Sequence, residues 1–181
     1  MQKTARYILW ITFMVPASWV VAGIVTAADS SMPKDQVFLM EAAASQKAEI
    51  ALGRMAIERG ETDQVKQFGR RMIQDHQKAG REVKQLASQA ALEPAADPPT
   101  VHKDKAQHIA QLSGKEFDRT YIGYMLKDHI KDVTEFERGA KEVKNPRVQQ
   151  WASATLPVLK EHLKMAKNIA DELGIGSKTA E

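Results

Sequence analysis

The chain has no cysteine. Disulfides, a lipid-anchored cysteine and a Cys-His nucleophile pair are therefore all excluded. It also lacks a nucleophile elbow and a phosphate-binding loop, so no familiar catalytic machinery is written into it. A basic stripe is missing as well, although the pI of 9.0 suggests one. Of the 26 basic side chains, Lys3 and Arg6 stand at the very start, leaving 24 against 23 acidic ones, a net of +1. Beyond residue 33 charges of both signs are interspersed. Nucleic acid has no electrostatic footprint to bind here, and an acidic lipid surface has no more support.

What the first residues do contain is an export pattern. Lys3 and Arg6 precede an almost wholly apolar run from Tyr7 to Val25, and Val25-Thr26-Ala27-Ala28 supplies small residues for cleavage after Ala27 or Ala28. An uncleaved anchor is the alternative, since the run is near the lower length for spanning a bilayer. Pro16, Gly23 and the small residues that follow favour cleavage. The expectation is a signal peptide over 1–28 and a bacterial protein that is periplasmic or secreted, with no membrane attachment after processing. A leader covers 29–34, the folded domain 35–175 and a loose tail 176–181.

Helical periodicity dominates the domain. The spacing predicts helices over 35–59, 63–91, 115–144 and 146–173. In the first, Phe38, Ala42, Ser45, Glu49, Leu52 and Ala56 recur at four-three intervals, the pattern of a core-facing seam. The second carries Val65, Met72, His76, Ala79 and Val83 on its inner line. The third carries Ile122, Met125, His129, Val133 and Phe136, and the fourth Val148, Thr155, His162 and Ile169. Gly60 and Asn145-Pro146 punctuate the pairs. Pro94, Pro98 and Pro99 break helicity after the second helix. The connection over 92–114, with a short helical piece around His102 to Leu112, is too long for a hairpin and suits a crossover along the bundle. Gly69 and Gly80, costly in an exposed helix, allow close helix approach. Val65-Lys66-Gln67-Phe68 matches Val148-Gln149-Gln150-Trp151, so the chain reads as two copies of a helical hairpin. The fold class is all-α, a four-helix bundle.

Three pentads end in an acid and a histidine: Met72 to His76, Met125 to His129 and Val158 to His162. Both arms of an antiparallel hairpin rise about 1.5 Å per residue, so residues equidistant from the turn lie level. The midpoint of 49 and 76 falls at Thr62/Asp63, and that of 129 and 162 at Asn145/Pro146. Glu49, His76, His129 and His162 should therefore meet mid-bundle. Burying one carboxylate and three imidazoles costs several kcal/mol unless they are paired or bound to a cation. One oxygen and three nitrogens suit Zn²⁺, Fe²⁺, Cu²⁺, Ni²⁺ or Mn²⁺ without choosing among them. The bland alternative is a hydrogen-bonded cluster, with Glu49 as acceptor and the histidines as donors. Asp75, Asp128 and Glu161 lie about 100° round their helices from the histidines. They are expected as outer acceptors for a neighbouring helix's histidine, or as ordinary surface charge. Asp132, one turn after His129, is a further ligand candidate. Met72, Met125 and Met165 read as core filler, and Tyr121 and Tyr124 as packing residues.

From about Val37 to Asp171 the chain resembles a bacterial family of exported proteins of unknown function, often labelled "predicted outer membrane protein" and grouped with ferritin-like folds. The resemblance rests on Ala48-Glu49, on Phe68 with Met72 and Asp75-His76, and on Ser113-Gly114 with Phe117-Asp118 and Tyr121. Asp128-His129, Leu156-Pro157 and His162-Leu163 complete it. It implies a ferritin-like bundle and export, and no established activity. Nothing in the sequence could form a membrane barrel. Di-iron carboxylate bundles use Glu-x-x-His on two helices, whereas here Ile73, Leu126 and Leu159 stand three residues before the histidines.

The sequence thus supports an exported bundle holding a transition-metal ion, for metal handling or protection against oxidative stress, and leans away from an enzyme. Its rival is a non-catalytic structural or partner-binding envelope protein whose polar cluster only sets helix register. A homo-oligomer or an unidentified protein partner is open to either.

Overall fold

The computed structural model describes residues 33–92 and 100–175. The segment expected to be a signal peptide, most of the expected leader, the proline-rich stretch and the expected tail lie outside them. Five helices are present among the described residues: α1 (Lys34–Arg59), α2 (Asp63–Gln89), α3 (Thr100–Ile109), α4 (Gly114–Glu142) and α5 (Pro146–Glu172). No helix among them is long and apolar enough to cross a membrane.

Local chemistry sets the turns. Gly60 ends α1 with its N–H on Ala56 O, and the Thr62 hydroxyl accepts from Val65 N to start α2. Asn145 accepts from Arg147 N and Val148 N, with Pro146 in the first turn of α5, where its missing N–H costs nothing. The hairpins α1–α2 and α4–α5 are the main packing units, and α1 meets α4 while α2 meets α5. Phe38 near the start of α1 packs on Phe136 near the end of α4, and Gln89 at the end of α2 meets Arg147 at the start of α5. Both cross-hairpin contacts are therefore antiparallel, so α2 and α4 run the same way on a diagonal. That topology needs the long crossover carrying α3.

Each hairpin turn is held by a carboxylate of the other hairpin. Asp118, fully buried near the start of α4, accepts from Glu61 N, Thr62 N and Thr62 Oγ1, each at 2.9 Å. Asp35, near the start of α1, accepts from Lys144 N at 3.0 Å and Asn145 N at 2.8 Å. The two acids stand 83 positions apart, the same shift that separates Val65 from Val148. The structure is thus a pseudo-twofold repeat.

Close approach is built in where α1 crosses α2. A Cβ on Gly69 would sit 2.7 Å from Ala56 Cβ and 2.7 Å from Gly53 O, so only glycine lets the backbones touch there. At Gly80 a Cβ would make an ordinary 3.5 Å contact with Gln46. Two apolar clusters fill the bundle. One, toward the α1–α2 turn, centres on Leu52, Phe68, Met72, Tyr121 and Met125. The other, toward the α4–α5 turn, centres on Phe38, Val83, Phe136, Trp151 and Leu159. On every long helix the chain passes from one cluster to the other through buried polar positions that include 49, 76, 129 or 162.

Candidate metal centre

Glu49, His129 and His162 have no measurable exposure, and His76 is 2% exposed. Helical spacing puts them there: each occupies a seam position with apolar residues three or four away on at least one side. Glu49 Oε2 lies 3.0 Å from His76 Nε2 and 3.5 Å from His129 Nε2. The three rings surround one point, with centroids 6.0 Å apart for His76 and His129, 5.2 Å for His76 and His162, and 5.4 Å for His129 and His162. Phe68 presents its ring edge-to-face to His129 and to His162, closing the layer on one side.

The outer nitrogen of each ring is fixed by an acceptor. His76 donates Nδ1–H to Gln46 Oε1 at 2.8 Å, and His129 donates Nδ1–H to Met125 O at 3.0 Å. His162 donates Nε2–H to Asp75 Oδ2 at 2.9 Å. Amide, carbonyl and carboxylate oxygens cannot return a proton, so in the neutral imidazoles the inward nitrogens carry lone pairs. Those inward atoms, His76 Nε2, His129 Nε2 and His162 Nδ1, are buried without a hydrogen-bond partner, as is Glu49 Oε2. The 3.0 Å approach of Glu49 to His76 is thus not aligned as a hydrogen bond. Four acceptors face one another.

The electrostatics favour a charged carboxylate at Glu49. Burial works against ionising Glu49, but His76 and His129 beside it and a hydrogen bond from Ser45 hold its carboxyl well below the usual range. Burial pushes His129 down, and burial with the neighbouring His76 and His129 pushes His162 down to about 4. At neutral pH the His162 ring is ready to donate a lone pair. Partial burial also opposes charge on Asp75, yet Arg71 and His162 keep its carboxyl below the ordinary value.

The three acids that precede the histidines part company. Asp75 bonds His162 across the α2–α5 interface. Asp128 is buried, with its Oδ2 unpartnered, and burial together with Glu49 pushes it up to about 7. Glu161 is exposed on the outer face of α5. It does not serve a neighbouring histidine, because the rotation away from His162 carries it to solvent rather than to an adjacent helix. Met72 and Met125 are buried in the apolar cluster, with Met165 packed against it, and His108 is exposed.

Two residues join the layer with more weight than periodicity assigns them. Gln46, 3% exposed, orients His76; it sits one turn before Glu49 on the same face, which is the signal that could have found it. Asp132, 8% exposed, offers an oxygen within 4.8 Å of ligand atoms of Glu49 and His129, just as His76, His129 and His162 do for one another. Burial and the Glu49 charge raise its carboxyl well above the ordinary value. The buried Tyr121 hydroxyl has no partner, and burial with the Glu49 charge raises its pKa.

Residues 23–169 match the family described as "Domain of unknown function (DUF4142)". No curated protein matches the sequence. Among solved structures, a DUF305 protein of Streptomyces coelicolor described as secreted superposes with a TM-score of 0.66 at 13% identity, covering 77% of this chain and 93% of that one. A second, described as CopM in the Cu(I)-bound form, gives a TM-score of 0.65 at 18% identity, covering 78% of this chain and 98% of the other. Both likenesses concern the helical fold.

Proposed function

The chain belongs to the DUF4142 family, and we propose that it is an exported, ferritin-like bundle whose mid-bundle layer of Glu49, His76, His129 and His162 binds a transition-metal ion. One observation carries this reading. Four buried acceptors converge, and the outer partners of the three rings leave no inward proton to separate them. Lone pairs directed at a carboxylate repel in a low-dielectric interior, and a cation turns that repulsion into coordinate bonds. A hydrogen-bonded cluster needs protons on inward nitrogens, whereas the acceptors Gln46, Met125 and Asp75 draw each ring's N–H outward.

The donors are imidazole and carboxylate, not thioether, which favours a divalent ion such as Zn²⁺, Fe²⁺, Cu²⁺, Ni²⁺ or Mn²⁺ over Cu(I). The likeness to CopM, described with Cu(I), supports metal handling as a use of this fold. The single long crossover is the ferritin-like arrangement. Cleavage after Ala27 or Ala28 would deliver the domain to the periplasm or the medium, where sequestering a redox-active ion limits oxidative damage. The assignment is to binding, which the convergent ligand atoms support directly.

Chelator treatment of the purified protein tests this. Ligand present at 100 times Kd stabilises the folded state by ~2.7 kcal/mol, or roughly 5–10 °C in Tm for a domain of this size. The Tm should fall by that order on chelation and recover when Zn²⁺ is restored. A Tm indifferent to chelator and to added metal is what the rival, a structural or partner-binding envelope protein, requires.

A further inference from the structure

The polar layer contains more acid than one cation site uses. Glu49 and Asp132 stand 83 positions apart, the shift that relates the two hairpins, so they are equivalent residues of α1 and α4 turned toward each other. Ligand atoms fall into two sets, one of His76, His129 and His162 and one of Glu49, His129 and Asp132. Glu49 Oε2 lies 3.0 Å from His76 Nε2, so this carboxylate reaches both. His129 has a single inward nitrogen, because its Nδ1 is committed to Met125 O. It can therefore ligate one cation only. The unpartnered Oδ2 of buried Asp128 brings a third carboxylate to the same side.

Resting on the metal-binding reading, we propose that the layer holds two divalent cations, bridged by Glu49. The nitrogen-rich position takes His76 and His162, and the oxygen-rich position takes His129 and Asp132. Ligand supply separates this from a single ion: the ligand atoms form two sets that share only His129, and His129 has one inward nitrogen to give. Bridged cations of this kind sit roughly 3.5–4 Å apart. The chemistry of the two positions differs. Two imidazoles favour Zn²⁺, Cu²⁺ or Ni²⁺, while two carboxylates with one imidazole favour Mn²⁺ or Fe²⁺.

The test counts zinc. Full-length protein, its D132N variant and its H76Q/H162Q variant, all lacking His102 and His108 so that the crossover adds no sites, are stripped, reloaded with Zn²⁺ and desalted. Elemental analysis should give two zinc ions per chain for the parent and one for each variant. One per chain in the parent overturns the second position, whether D132N then holds one or none. Zero in the parent overturns the metal-binding reading itself. Two in both the parent and D132N removes Asp132 from the site. A measurement free of variants is the electron paramagnetic resonance of Mn²⁺-loaded parent protein. An exchange-coupled spectrum supports the pair, and only isolated-ion signals from fully loaded protein contradict it.

Discussion

His162 on α5 donates its Nε2–H to Asp75 on α2 at 2.9 Å, and this bond decides which ring nitrogen faces the bundle centre. Asp75 is the one acid of the three pentads that reaches a neighbouring helix's ring. Its side chain is 17% exposed and also accepts from Arg71, whose own side chain is 48% exposed.

Removing the acceptor should therefore weaken metal binding without touching a ligand. D75A is expected to lower Zn²⁺ affinity by ~10–100-fold, the usual effect of losing an outer hydrogen bond to a ligating histidine. R71A should change it by no more than a few-fold, because an exposed ion pair contributes ~1 kcal/mol or less. Competition against a chromophoric chelator reads both.

The two turn-holding acids offer a stability comparison in which burial decides. Asp118 accepts three hydrogen bonds and is fully buried, so D118A should cost roughly 2–4 kcal/mol in urea unfolding, given ~1.5–3 kcal/mol for a hydrogen bond to a charged group and incomplete additivity. Asp35 makes the equivalent contacts where water can replace it, and D35A should cost about 1 kcal/mol. Equal losses would show that exposure does not separate the two.

Glycine substitutions separate crossing from propensity. G69A puts a methyl group 2.7 Å from Ala56 Cβ and Gly53 O, and the forced separation of α1 and α2 should cost about 1–3 kcal/mol. A Cβ on Gly123 of α4 meets nothing within 4 Å, so G123A should instead stabilise by up to ~1 kcal/mol. Thermal unfolding distinguishes the signs. Because Glu49 and His76 depend on the α1–α2 approach, G69A should also weaken metal binding, and G123A should not.

Much of this was legible in the sequence because apolar spacing in a helix is a direct record of which face is inside. Glu49, His76, His129 and His162 occupy seam positions, and equal distances from the turns bring them level. The pentads were a poorer guide to the acids. Grouping Asp75, Asp128 and Glu161 by sequence hid their fates, since the neighbour met about 100° round a helix depends on which helices adjoin. One bonds a histidine, one is buried and one faces solvent. The pentads also drew the repeat in the wrong register for the layer. The hairpin repeat pairs Glu49 with Asp132, and His76 with Leu159, so aligning Val65 with Val148 makes Asp132, a candidate from its place one turn after His129, the counterpart of Glu49. Asp118 could not be assigned its role from sequence, because the crossover brings the start of α4 to the α1–α2 turn.

The most direct measurement is the transition-metal content of the purified protein, set beside an H76A/H129A variant whose helicity is checked by circular dichroism. The parent should carry at least one ion per chain, and the folded variant little or none. Equal metal in both proteins, or none in the parent after reloading, would contradict a metal centre in the polar layer.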